Sequence, residues 1–291
     1  DLSLFQDGVD YIEKETALPV LGVIPYFRHI EIESEDALPL EAKLDSKEEL
    51  DKSKIHIAVI RLPHISNFTD FNSLQREEGV EVHYLSKVRD LTAYDAVILP
   101  GSKNVRFDRQ WLSECSWDEE IFKAYDQGKK ISGICGGYQI LGKEIHDPYG
   151  VEGEPGMSEG LGLLDVVSTL EKEKTLCRSE AHCALWGVDC SGYEIHMGQS
   201  QLGEGVTAFL KKGHGDEDGA VNSSGSIWGS YFHACFDQKE FRESYLQSVS
   251  SQFSSKSALH QDDFKGLQYE LLAEHFTTHL DMAKLFSICS L

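Results

Sequence analysis

Cys135 stands in the frame Gly133-Ile134-Cys135-Gly136-Gly137, within the stretch "KKISGICGGYQILG" at residues 129–142. An apolar run precedes it and an amphipathic one follows, which predicts a β-strand turning into a helix at the thiol. Small flanking residues permit the sharp, strained turn that projects a middle side chain, the logic of the G-x-S-x-G nucleophile elbow. At a helix start the macrodipole and unpaired backbone N–H groups favour a thiolate. The same N–H groups, that of Gly136 first, can hold an oxyanion. Cysteine is often a buried core residue, but a core strand gains nothing from these glycines, so the frame predicts a nucleophile.

A thiol nucleophile needs a base, usually a histidine brought from elsewhere in the fold. Of the 12 histidines, His233 ends the strand-like run "GSIWGSYFHACFD", with a predicted helix beginning just after Asp237. His196, in mid-run of "SGYEIHMG", and His64, in "RLPHISNFTD", rank below it. A further strand end, "VILPGSKN", turns at Pro100-Gly101-Ser102, where N–H groups of Gly101 or Ser102 would complete an oxyanion pocket with Gly136. Ligands and catalysis gather at the carboxyl ends of strands in a parallel sheet. By this reading Cys135, His233 and the 100–102 turn all occupy strand ends.

The elements that would hold them begin at Lys54. "KIHIAVIRLP", "GVEVHYLS", "YDAVILPGSK" and "KKISGIC" are short apolar runs, and a helix is expected near Trp111–Tyr125, ending at Gly128. Apolar strands alternating with helices predict an α/β fold whose mostly parallel sheet is covered on both faces. The later chain, "GLGLLDVVSTL", "SGYEIHMGQS" and "GAVNSSGSIWGSYFH", reads as strands joined by short turns, with Ser224-Gly225 at a hairpin tip. Helices are expected over "DQKEFRESYLQSVSSQF" and in the final stretch from Phe264, with a polar mobile loop, "SSQFSSKSALHQDD", between them. The first residues predict a helix over "SLFQDGVDYIEKET" and a strand over "LPVLGVIPY". Residues 27–53 are acidic and aperiodic, as a linker would be.

The chain has 291 residues, 41% of them hydrophobic, enough for one large core or two moderate ones. Its 49 Asp and Glu against 27 Lys and Arg give a net charge of −22, which repels phosphate backbones and anionic membranes. Nucleic acid and membrane partners are therefore not expected. No run reaches the ~18 apolar residues of a membrane span, and the first residues lack a signal-like pattern, which predicts a cytoplasmic protein. Seven cysteines at irregular spacing predict free thiols rather than a disulfide framework. Cys177, His182, Cys183 and Cys190 offer four soft ligands close in sequence, the alternative of a metal site, but their spacing fits no common zinc module, so no metal is expected.

"VILPGSKN", "GICGGYQILG", "EGLGLL", "SGYEIHMG" and "IWGSYFHACFD", in this order, resemble the class I glutamine amidotransferases, in the branch of the cobyric acid synthases. "PVLGVIPYF" and "KIHIAVIRLPHISNFTDF" are similar to that branch in particular. Sibling branches, cobyrinic acid a,c-diamide synthase and the glutaminase that serves lipid II amidation, share the Cys and His frames but not the full "IRLPHISNFTDF" match. The resemblance implies a flavodoxin-like fold in which Cys135 attacks the side-chain amide of glutamine and His233 serves the leaving ammonia and then water. It further implies that ammonia passes to an ATP-dependent site that amidates carboxylates of a corrinoid, adenosylcobyrinic acid a,c-diamide. Many class I members carry a glutamate two residues after the histidine; here that position is Cys235, leaving Glu194 and Asp237 as candidates to orient the ring. No G-x-x-x-x-G-K-[ST] occurs, so no cofactor is expected in this chain, and ATP and Mg belong to a synthetase domain that it lacks. The resulting division is a synthetase remnant at 1–26, a linker at 27–53, the amidotransferase domain at 54–252 and a helical extension at 253–291. A non-catalytic flavodoxin-like binding module is the alternative, though both Cys135 and His233 are present.

Overall fold

The computed structural model describes residues 2–27, 29–30, 50–213, 215–255 and 261–289. The chain divides into two compact units, Asp1–Glu33 with Leu259–Leu291, and Ser34–Ala258. Most of the acidic 27–53 segment and the middle of the 250–263 polar loop lie outside the described residues.

In the smaller unit, helices span Gln6–Thr16, Gln261–His279 and Met282–Cys289. The expected strand at residues 18–26 is absent from the described residues; the chain there is irregular. Pro19 and Pro25 lack the N–H a ladder requires. Some of its polar groups bond outside any ladder: Val20 N–H donates to Glu13 Oε1 at 2.8 Å, and the carbonyls of Leu21 and Pro25 accept from Asp281 N–H and His275 Nε2.

The larger unit carries the main sheet. Its parallel strands are β1 (Ile55–Ile60), β3 (Val80–Leu85), β4 (Ala96–Leu99), β6 (Lys130–Ile134) and β15 (Ile227–Ser230), with β14 (Ala220–Asn222) and β11 (Val206–Thr207) continuing the edge antiparallel. The order β3-β1-β4-β6-β15 is the doubly wound 2-1-3-4-5 arrangement. β1, β4 and β15 are buried along their whole lengths, which is why their sequence is mostly apolar rather than alternating, His56 and Ser230 being the polar exceptions. A short ribbon pairs β2 (Ile65–Ser66) with β5 (Gly101–Ser102). The helix expected near 111–128 is two helices, Val105–Glu114 and Trp117–Asp126. Ser116, at φ 62° in the left-handed region, breaks the continuity.

The second sheet contains β7 (Glu144–Asp147), β8 (Gly156–Glu159), β9 (Val166–Cys183), β10 (Val188–Leu202), β12 (Leu210–Lys212), β13 (Glu217–Asp218) and β16 (Phe232–His233). β9 and β10 form one long hairpin of 18 and 15 residues, where sequence pattern predicts only short strands. The run expected as one strand ending at His233 is split: β15 stays in the main sheet, and after Tyr231 the chain crosses to pair with β10 in the second. Trp186, Phe209, Trp228, Phe236, Phe241 and Tyr245 pack ring against ring around this crossing. His233 is thus fixed between two sheets.

Candidate active site

β6 ends at Ile134, and Cys135 follows with φ 51° and ψ −108° before a helix over Gly136–Leu141. A non-glycine residue with positive φ is strained, and such outliers cluster at functional sites. The turn closes because the helix lies directly on the sheet. A Cβ on Gly137 would stand 2.0 Å from the Leu99 carbonyl oxygen, and one on Gly133 2.6 Å from the backbone of Gly137. Cys135 N–H donates to the Ser230 carbonyl at 2.8 Å, and the thiol lies 3.8 Å from the carbonyl of Ile195. Only 7% of the residue is exposed.

The 100–102 turn meets this helix start. A Cβ on Gly136 would fall 2.8 Å from the backbone nitrogen of Ser102, and one on Gly101 3.4 Å from His233 Cε1. Gly101, Ser102, Gly136 and the His233 ring are therefore in one place, as the sequence predicts. The Ser102 hydroxyl is engaged elsewhere: it donates to Asp108 Oδ2 at 2.6 Å and accepts from Asn104 N–H.

His233 is 1% exposed. Its Nδ1 lies 2.7 Å from Oδ2 of the buried Asp70, whose Oδ1 also accepts from Ala234 N–H at 2.9 Å. Tyr193 stacks on the ring with centroids 5.2 Å apart, and its hydroxyl accepts from Asn67 Nδ2 at 2.7 Å. Glycine is required opposite the ring, since a Cβ on Gly192 would approach the His233 carbonyl oxygen to 2.2 Å. Burial disfavours the charged imidazole, but the charge and hydrogen bond of Asp70, aided by Cys135, push its pKa up to about 10. Nε2 is buried and makes no hydrogen bond of ordinary geometry within the chain, although the thiol acts on the ring electrostatically. A nucleophile, an imidazole held by a carboxylate and a backbone donor pocket are the parts required for acyl transfer.

The family model for the CobB/CobQ-like glutamine amidotransferase domain matches residues 56–241, the stretch that contains every one of these groups. The chain belongs to that family. The amidotransferase is 46% identical to cobyric acid synthase of Pelodictyon phaeoclathratiforme over 99% of this chain and 58% of that protein. It is 47% identical to cobyric acid synthase of Chlorobaculum tepidum over 100% of this chain and 59% of that protein. It thus spans under two thirds of the length of these relatives. PurLQS from Thermotoga maritima, 18% identical, shares the fold, with a TM-score of 0.53 over 68% of this chain and 100% of that one.

The carboxylate on the His233 ring of the amidotransferase is Asp70, not Glu194 or Asp237. Glu194 points to the other side of β10: it accepts from Lys212 Nζ and Ser179 Oγ, each at 2.8 Å, and lies 3.4 Å from His196 Nε2. Burial raises its pKa, but these hydrogen bonds prevail and lower it to about 2. Asp237 accepts from the Ser73 hydroxyl. His196 stacks on Tyr231 at 3.9 Å and bonds the Gly198 carbonyl, and His64 is held by the buried Asp108 at 2.8 Å. The alternative soft-ligand set is pulled apart by strand alternation: Cys177 and Cys183 share one face of β9, and His182 takes the other and bonds Asp189. Asp70 lies in "ISNFTDF", directly after the first strand. The strand-end rule that ranked His64 covers it too, but its distance of 163 residues from His233 hid the pairing.

Proposed function

We propose that this chain is the glutamine-hydrolysing, ammonia-supplying part of a cobyric acid synthase. The observation that carries the reading is the Asp70–His233 pair set beside Cys135 at the strained end of β6. In the proposed reaction Cys135, its thiol proton held on His233, attacks the side-chain amide carbon of glutamine through Sγ, and the oxygen that becomes anionic is held by backbone N–H groups of Gly136 and of Gly101 or Ser102. His233, protonated and kept so by Asp70, passes its proton to the departing nitrogen, and ammonia leaves a thioester on Cys135. The imidazole then takes a proton from water, whose attack releases glutamate and restores the thiol.

The ammonia would be consumed at an ATP- and Mg-dependent site outside this chain, amidating peripheral carboxylates of adenosylcobyrinic acid a,c-diamide. That assignment rests on the 46–47% identity to cobyric acid synthases. Work in the cytoplasm, without nucleic acid or membrane partners, fits the net charge of −22, and no helix among the described residues is long and apolar enough to cross a membrane. The test is glutamate release from glutamine by the chain alone and with a synthetase domain of the same family added. Cys135→Ala should abolish it in both; activity surviving in Cys135→Ala would refute the reading.

A further inference from the structure

At the opposite half of the main sheet, β1 and β3 pair in parallel with His56 beside Glu81 and Ala58 beside His83. His56, Glu81 and His83 therefore stand on one face, at the sheet edge formed by β3. His56 Nδ1 is 2.9 Å from His83 Nε2 and 3.5 Å from Glu81 Oε2, and the last two atoms are 3.7 Å apart. Among the described residues, this is the group of histidine, cysteine and acidic side chains whose ligand atoms come close enough to share one ion. Ligand atoms 2.0–2.1 Å from a tetrahedral zinc stand about 3.4 Å apart, and the three observed separations straddle that value.

The surroundings orient the atoms as a metal requires. His56 Nε2 is 2.8 Å from the Asp51 carbonyl oxygen, which can only accept. Nε2 therefore carries the proton and Nδ1 turns a lone pair into the triangle, the arrangement that outer partners impose on ligating histidines. Lys54 Nζ holds the other oxygen of Glu81 at 2.5 Å, leaving Oε2 facing the two rings. His56 is buried, while Glu81 and His83 are partly exposed, so an ion could enter from solvent. Two imidazoles and one carboxylate suit a borderline divalent ion of the zinc, cobalt or nickel kind better than calcium or magnesium.

We propose that His56, Glu81 and His83 form a binding site for a divalent transition-metal ion that ties the edge strand β3 to β1, away from Cys135. The alternative is a plain hydrogen bond between two imidazoles with Glu81 serving only Lys54. The two are separated by titrating the full chain, stripped of metal with a chelator, with Zn²⁺ and separately with Co²⁺. The proposal expects one equivalent bound, the visible absorption of low-coordinate cobalt, and a rise in melting temperature with zinc. His83→Ala and Glu81→Ala should each weaken binding at least about tenfold. Both positions are partly exposed, and an unchanged circular dichroism spectrum certifies the fold. No binding, or binding equal in the parent chain and His83→Ala as cysteine ligation elsewhere would give, overturns the proposal.

Discussion

Nδ1 of His233 and Oδ2 of Asp70 lie 2.7 Å apart, both buried, with the second Asp70 oxygen anchored on the next backbone N–H of the histidine's own chain. Asp70 thus fixes the ring's rotation and its tautomer together, directing Nε2 away from itself. Asp70→Asn should lower glutaminase kcat by on the order of 100-fold or more, since the amide can neither stabilise the imidazolium nor enforce the tautomer. Asp237→Asn should stay within a few-fold of the parent. The pH dependence of stability should report the same pair. A histidine raised from 6.5 to about 10 adds stability that is complete below 6.5 and lost as pH climbs through 10. Melting curves of Asp70→Asn should lack that alkaline loss.

The glutamine analogue 6-diazo-5-oxo-norleucine should modify Cys135 alone among the seven cysteines. Burial pushes the thiol of Cys183 up to about 11 and that of Cys190 up to about 12, and raises that of Cys235 well above its ordinary value, so these are poor nucleophiles. Cys115 and Cys289 stand at helix ends and Cys177 lies within β9, so none has the strand-to-helix turn and helix-start N–H groups of Cys135. Peptide mass mapping after labelling checks this, with Cys135→Ser as the unlabelled control and a loss of turnover of at least roughly 1,000-fold.

Asp218 should govern stability at acid pH. It is buried and accepts from the Ser230 hydroxyl and Tyr231 N–H, and burial raises its pKa from 3.8 to about 6 despite those bonds. A carboxyl raised on folding favours the native state most when protonated, so its contribution is complete below 3.8 and disappears as pH rises through 6. Asp218→Asn should flatten the change in melting temperature between pH 4 and pH 6.

Two glycines should respond oppositely to alanine. At Gly137 the new Cβ meets the Leu99 carbonyl at 2.0 Å, and Gly137→Ala should cost roughly 3 kcal/mol or more and disturb Cys135. At Gly8, in the helix over Gln6–Thr16, nothing lies within 4 Å, and Gly8→Ala should stabilise that helix by about 1 kcal/mol. Denaturant unfolding of the two variants measures the contrast.

Cys135 and His233 stand out in the sequence because their signals are local. Glycines crowd Cys135 where a helix must touch a strand, and apolar runs mark the strand ends that bear both residues. The sheet was legible for a related reason: its central strands are buried on two faces and therefore mostly apolar. What escaped depends on chain crossings that no local pattern encodes. Asp70 reaches His233 from a short helical turn near the other end of the domain, the His233 run divides between two sheets at Tyr231, and His56 meets His83 only through the register of β1 with β3. Residues 18–26 read as a strand because they are apolar, but Pro19 and Pro25 deny a ladder its donors.

The ribbon of β2 with β5 places Ser66 against Gly101 and Ile65 against Ser102, and Asp70 follows four residues after Ser66 on the same chain. One segment, residues 65–70, therefore carries both the carboxylate on the His233 ring and the strand paired with the 101–102 turn. Displacing residues 65–70 would therefore withdraw Asp70 from His233 and unpair the ribbon from Gly101 and Ser102 in one movement.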